Sequence, residues 1–167
     1  ILLDQGIHMV DLLRLFAGDF SEFHSFVSNG YWNHDVEDNV YSLMRTDSGT
    51  TAMLHSSATQ WRHQFNLEIT LTEGSIILSG ILSGSKSYGE ETMTLIRRPE
   101  IAGTLPREEF RRYLNDPSWK AEIEEFSNAI LNDVPILNGS VDDALQTMKT
   151  VYDIYRADLN WSKQWGL

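Results

Sequence analysis

The chain has 167 residues, 41% of them hydrophobic, enough for a single globular domain with a sizeable core. Its 13 Lys and Arg against 24 Asp and Glu give a net charge of −11, which repels phosphate backbones and anionic lipid surfaces and argues against nucleic acid and membrane as partners. Cysteine is absent, which removes disulfides, thiolate metal sites and a Cys nucleophile, and with no long apolar run or secretory signal the expected location is the cytoplasm.

The first predicted element is a helix that starts at once, on Ile1 rather than Met, as expected of a segment cut from a longer chain. Asp4, His8 and Asp11 fall at i, i+4 and i+7 and share one helical face. The surrounding Ile, Leu, Met, Val and Phe, broken only by Arg14, predict a buried helix, on which polar groups need partners or a site. Gly6 inside the helix costs about 1 kcal/mol relative to Ala, understandable where a ligand or another backbone approaches closely.

Gly18 ends the helix. Strand patterns follow at residues 21–28 and 40–45, separated by the polar loop 29–39, and Asp47-Ser48-Gly49 turns the chain into a strand over 51–59. Residues 65–71 alternate as a half-buried strand, Glu73-Gly74 turns into 75–78, and 91–97 forms a further strand. These hairpin-length connections predict a largely antiparallel sheet. Asp116-Pro117 starts a helix carrying Trp119, Ile123, Phe126 and Ile130 at helical spacing, closed by Pro135. Ser140 and Asp143 resemble a capping box for a last helix with Leu145, Met148, Tyr152, Tyr155 and Leu159 on one face. The two helices are expected to cover one face of the sheet, an α+β fold with an open, mostly antiparallel sheet. Trp161 and Trp165 are expected to dock onto the body, and Glu108-Glu109 and Glu124-Glu125 to be solvated helix faces.

The residue types leave several chemistries open. Asp4 suits a helix N-cap, His8 a hydrogen-bonded core histidine, and Asp4, His8 and Asp11 together a divalent metal, although no second ligand-bearing segment has a diagnostic spacing. His55, Gln60, Trp61 and His63, near one strand end, could line a sugar pocket with Trp61 as a platform, or form an amphipathic strand end with a half-buried Trp. Tyr31, Trp32 and His34 read as a loop anchored by aromatics.

The opening Leu-Leu-Asp4-Gln-Gly6-Ile-His8-Met-Val-Asp11-Leu-Leu-Arg resembles the helix motif of the glucose–fructose oxidoreductase / inositol dehydrogenase / rhizopine-catabolism oxidoreductase family. Asp35-Val36-Glu37-Asp38-Asn39, Leu71-Thr72-Glu73-Gly74-Ser75 and the helix of 139–158 are similar to that family's C-terminal domain, in the same order. His55 to Trp61 and Gly84 to Gly89 are similar to one branch of it. The resemblance implies a two-domain enzyme acting on a hydroxyl carbon of a sugar, cyclitol or related polyol. It implies NAD or NADP bound mainly by an N-terminal Rossmann domain, absent here, beside a lysine from a Glu-Lys-Pro motif.

On that pattern Asp4 and His8 carry over as the catalytic pair, His8 as base and Asp4 as its orienter or a substrate ligand, with Asp11 and Gly6 supporting the site. An imidazole suits the base because it titrates near the operating pH. Gly80, Gly84 and Gly89 lack dinucleotide-loop spacing, and Lys86, Lys120, Lys149 and Lys163 all lie outside any Glu-Lys-Pro, so the fragment alone is expected to be inactive. The resemblance also implies a homo-oligomer formed through the exposed sheet face. A non-catalytic ligand-binding or oligomerisation module of the same fold is the rival reading.

Overall fold

Alternation of apolar and polar residues sets the register of the first sheet. In the computed structural model, which describes residues 1–167, β1 (Phe20–Ser28), β2 (Asn39–Thr46) and β3 (Thr51–Ser57) pair antiparallel in that order. Phe23, Met44 and Ala52 align on the inner face, as do Val27, Val40 and Ser56. Phe26, Tyr41 and His55 align on the outer face, beside Leu43 and Met53. A slip of one residue would exchange the two sets, so burial of one face pins the pairing.

The inner face is covered by α1 (Ile7–Ala17), which follows a π-helical turn over Leu2–Gly6, and by α3 (Val141–Arg156). Leu2, Val10, Phe20, Val40, Met44, Leu54, Val151, Ile154, Tyr155 and Trp161 form the core. Ser140 caps α3 by accepting from the Asp143 amide at 3.2 Å, as the capping box predicts. The last helix breaks at Asp158, whose carboxylate accepts from Asn160 N and Trp161 N to start α4 (Leu159–Trp165) and from Val27 N at 2.8 Å on β1. Trp161 is thereby buried against Tyr155, and Trp165 packs on Trp161 with ring centroids 5.4 Å apart.

These elements form one compact unit, Ile1–Gln60 with Ile136–Leu167; residues Trp61–Pro135 form a second. The second unit holds β4 (Asn66–Leu71), β5 (Gly74–Ser79), β6 (Glu91–Arg97) and β7 (Arg107–Tyr113), antiparallel neighbours in that order, and then α2 (Ser118–Asn132). Gly74 has φ +153°, and a Cβ there would lie 2.0 Å from the Ile96 carbonyl oxygen, so the β4–β5 turn accepts only glycine. No helix of the chain is long and apolar enough to cross a membrane.

The α+β class and the open antiparallel sheets agree with the sequence reading, with four corrections. The strands form two sheets rather than one. Glu108 and Glu109 lie on β7, not on a helix; its alternating Arg and Glu suit a charged sheet edge and hide the strand from a hydrophobic pattern. The apolar stripe of α2 covers no sheet of its own unit: Trp119, Ile123, Phe126 and Ile130 are all between 52 and 74% exposed. And α1 is not buried all round, because it packs by one side only, leaving Leu15 and Phe16 exposed together with His8 and Asp11.

Candidate functional site at the head of the first helix

Two backbone bonds define how the site begins. Both Gln5 N and Gly6 N donate to the Ile1 carbonyl, at 2.9 and 3.0 Å, the second being the i to i+5 bond of a π turn. Such single turns inside helices occur disproportionately at functional sites. Gly6 is buried against β3, where a Cβ would stand 2.8 Å from both Leu2 Cδ1 and Ser56 Oγ. Close approach does require this glycine, but the approaching group is the Ser56 side chain, not a ligand.

The turn is held from beneath by Glu37. Its Oε1 accepts from the Ile1 nitrogen at 2.8 Å, the Leu2 amide at 2.7 Å and the Tyr155 hydroxyl at 2.8 Å. Burial alone would raise the Glu37 pKa, yet these donors together hold it below the usual carboxylate value. Burial and the bond to Glu37 act in one direction on Tyr155, whose phenol is pushed upward by desolvation first and by the Glu37 carboxylate second. Next in sequence, Asp38 is likewise buried; it accepts from Tyr31 N at 2.7 Å and Trp32 N at 3.3 Å, and these bonds with Asn39 outweigh desolvation and lower its pKa.

Asp4 and His8 lie above this support, on the solvent side of the helix. The Asp4 carboxylate accepts from Gln5 Nε2 at 3.0 Å and caps no helix amide. His8 is exposed and makes no hydrogen bond or ion pair in this chain, so it is not a satisfied core histidine. Asp4 forms one wall of an open cleft of about 370 Å³, lined also by Leu3, Trp32, His34, Val36 and Ala58. The Trp32 indole donates to the Ala58 carbonyl at 2.9 Å and its ring meets Tyr31 edge-on. The aromatic loop is thus anchored, as read from sequence, and also faces the cleft beside Asp4. Its placement depends on Asp38, a residue that the pattern marked only as part of an ordered motif.

Asp11, the third member of the predicted stripe, is engaged elsewhere. Its Oδ1 accepts from Thr147 Oγ1 at 2.8 Å, and Arg14 lies 3.9 Å away. The same Arg14 guanidinium reaches Asp19 at 2.9 Å and Asp143 at 3.0 Å, tying α1 to α3. Asp11 therefore belongs to this helix–helix network, with no bond to Asp4 or His8.

Within the first unit, His8, His55 and Gln60 are not among the residues that line this cleft. His55 is on the outer face of β3, stacked on Tyr41 at 4.3 Å between centroids, on the opposite side of the sheet from Gly6 and α1. Gln60 is exposed at the end of the first unit. Trp61 and His63 belong to the second, where Trp61 is 98% exposed rather than half-buried and His63 Nδ1 lies 2.8 Å from Ser87 Oγ.

The family model of the GFO/IDH/MocA C-terminal domain matches residues 1–77. No curated protein matches the sequence significantly. Among solved structures, UDP-N-acetylglucosamine 3-dehydrogenase from Acidithiobacillus ferrooxidans is similar at TM-score 0.75 and 19% identity, over 94% of this chain and 46% of that one. Aldose-aldose oxidoreductase from Caulobacter crescentus, complexed with glycerol, matches at 0.73 and 20%, over 95% and 45%. Levoglucosan dehydrogenase in complex with NADH matches at 0.72 and 19%, over 95% and 48%. The chain thus spans a little under half the length of these structures, and at such identities the likeness is one of fold. The matched 77 residues carry the Asp4–His8 helix and the first sheet, so the similarity to the GFO/IDH/MocA C-terminal domain lies in the part of the chain that holds the candidate site.

Proposed function

We propose that residues 1–167 are the C-terminal, substrate-binding and oligomerisation part of a longer two-domain NAD(P)-dependent oxidoreductase that acts on a secondary hydroxyl of a sugar, cyclitol or related polyol. The observation that carries this reading is the pair Asp4 and His8, solvent-facing on a helix head held rigidly by Glu37, with His8 free of any partner in the chain. A protein that orders the base of a helix this firmly while leaving an imidazole unengaged has it available for a ligand.

This chain's share of the chemistry is the proton. His8 takes the hydroxyl proton through an imidazole nitrogen, and Asp4, one turn earlier, holds a neighbouring hydroxyl or the imidazole itself. The open cleft beside Asp4, with the Trp32 ring across from it, offers an apolar surface and a carboxylate, the combination a polyol ring needs. Nothing in the chain fits a dinucleotide: Gly80, Gly84 and Gly89 lie between two strands, β5 and β6, rather than between a strand and a helix. NAD or NADP is accordingly assigned to sequence outside this chain, and the chain by itself should turn over no substrate.

The outer face of the first sheet fits a second copy of the protein. Phe26, Leu43 and Met53 are 76, 58 and 75% exposed there, beside the stacked Tyr41 and His55. The test of the reading is a screen of the full-length protein with NAD and NADP against sugars, cyclitols and polyols, with this chain alone as a control. Reduction of a nicotinamide by one of these substrates supports it; binding of a polyol without any redox turnover would favour the non-catalytic module instead.

A further inference from the structure

We propose a phosphate-binding site in the second unit, built by the loop Ser83–Gly89 and the segment Arg62-His63. The loop contains three serines whose hydroxyls form a chain: Ser83 Oγ lies 3.2 Å from Ser85 Oγ, which lies 2.8 Å from Ser87 Oγ. Ser87 Oγ in turn lies 2.8 Å from His63 Nδ1, and the His63 ring packs on Tyr88 at 5.1 Å between centroids. The loop closes by two turns, Lys86 N to Ser83 O at 3.0 Å and Gly89 N to Lys86 O at 3.3 Å, with Lys86 itself in the left-handed region at φ +54°. Gly89, at φ +83°, presents no side chain, and the Arg62 guanidinium lies 3.5 Å from where its Cβ would be.

The cluster combines its hydroxyls with two cations that have no acidic partner. Arg62 and Lys86 make no ion pair in the chain, a state they share with Arg111, Lys149 and Lys163, but here two such cations belong to one local cluster. The adjacent carboxylates are engaged: Glu90 pairs with Arg112 at 3.0 Å, and Glu91 accepts from the Leu82 amide at 3.0 Å. Two unneutralised cations therefore flank a set of rotatable hydroxyl donors and an imidazole, in a protein whose net charge is −11. That donor set, with no competing carboxylate, matches the oxygens of a phosphate group, either free or as an ester on a sugar. A carboxylate ligand would use fewer of the donors. The arrangement is not a dinucleotide loop, since it joins β5 to β6, and its detection does not depend on the redox reading because it is measured by binding alone.

The test follows the backbone amides of residues 85–89 by NMR in the purified chain, at about 0.15 M sodium chloride to screen non-specific charge. Inorganic phosphate, glucose 6-phosphate and glucose are titrated separately. Phosphate and glucose 6-phosphate should shift these amides saturably with Kd about 1 mM, and glucose should not. Tighter binding of glucose 6-phosphate identifies an ester as the ligand, and equal binding identifies the phosphate group alone. The double change Arg62→Gln/Lys86→Gln should weaken binding at least tenfold, while Lys149→Gln, on α3, should leave it unchanged. Absence of saturable shifts, or equal binding by the double variant, would overturn the site.

Discussion

The Tyr155 hydroxyl donates to Glu37 Oε1 at 2.8 Å, joining α3 to the residue that holds the first turn of the chain. Both residues are buried, so loss of Glu37 strands the Tyr155 hydroxyl, and loss of that hydroxyl removes one of three donors to the Glu37 carboxylate. Tyr155→Phe should cost about 1.5–3 kcal/mol in urea unfolding, the usual cost of a buried hydrogen bond to a charged group. A variant as stable as the parent would show that the bond contributes nothing net.

The same carboxylate predicts the acid limit. Glu37 and Asp38 have folded pKa values below their ordinary 4.5 and 3.8, so the stability they supply is full above those values and is lost as pH falls through the lower, folded ones. The chain should lose stability below about pH 4.5, and Glu37→Gln should flatten that dependence while lowering stability at neutral pH. An unchanged slope of unfolding free energy against pH in Glu37→Gln would assign acid sensitivity to other carboxylates.

Arg14 links α1 to α3 through Asp143 and Thr147 and also pairs with Asp19, with its own side chain only 10% exposed. Its acidic partners are about half exposed, so removing the cation does not strand a buried charge, and Arg14→Met should cost about 1–2 kcal/mol. Arg45→Met, at the exposed pair with Glu22, should cost no more than about 0.5 kcal/mol. Equal effects in thermal unfolding would mean that the buried network is not special.

Gly6→Ala places a methyl 2.8 Å from Leu2 Cδ1 and Ser56 Oγ, and overpacking of this kind costs about 1–3 kcal/mol. Adding Ser56→Ala removes one of the two contacts and should restore part of the loss. If the double variant is no more stable than Gly6→Ala, the glycine is required for a reason other than Ser56.

The outer sheet face predicts a dimer or larger assembly at micromolar concentration by light scattering. Leu43→Glu with Met53→Glu should shift it toward monomer without unfolding, since both side chains are already exposed. A parent protein that is monomeric under those conditions contradicts the proposed interface.

Alternation made β2 and its neighbours legible, because one buried face imposes a period of two, whereas β5 and β6 are half-buried along almost their whole length and were legible from the Glu73-Gly74 turn and the spacing of Met93 and Leu95. β7 was hidden, since Arg107 to Tyr113 carries charge where the pattern needs apolar residues. The inward face of α3 was misread for a similar reason. Leu145 and Leu159 are 52 and 80% exposed, and Thr147 and Thr150 are buried, because the Thr147 hydroxyl bridges Asp11 and Arg14, a long-range network that periodicity does not encode. At the site, spacing placed Asp4 and His8 near each other on the helix, but separating Asp11 from them required knowing where α3 lies. Trp32 and His34 entered the cleft wall only through the buried Asp38, which sets the course of the loop.

The most direct measurement is the turnover number of the full-length protein carrying His8→Ala, with a nicotinamide cofactor and its best polyol substrate. Removal of a general base typically costs about 100- to 10,000-fold, so kcat should fall by at least about 100-fold with cofactor affinity little changed, and Asp4→Asn should lower it less. A His8→Ala enzyme with unchanged kcat would contradict the assignment of the proton to His8.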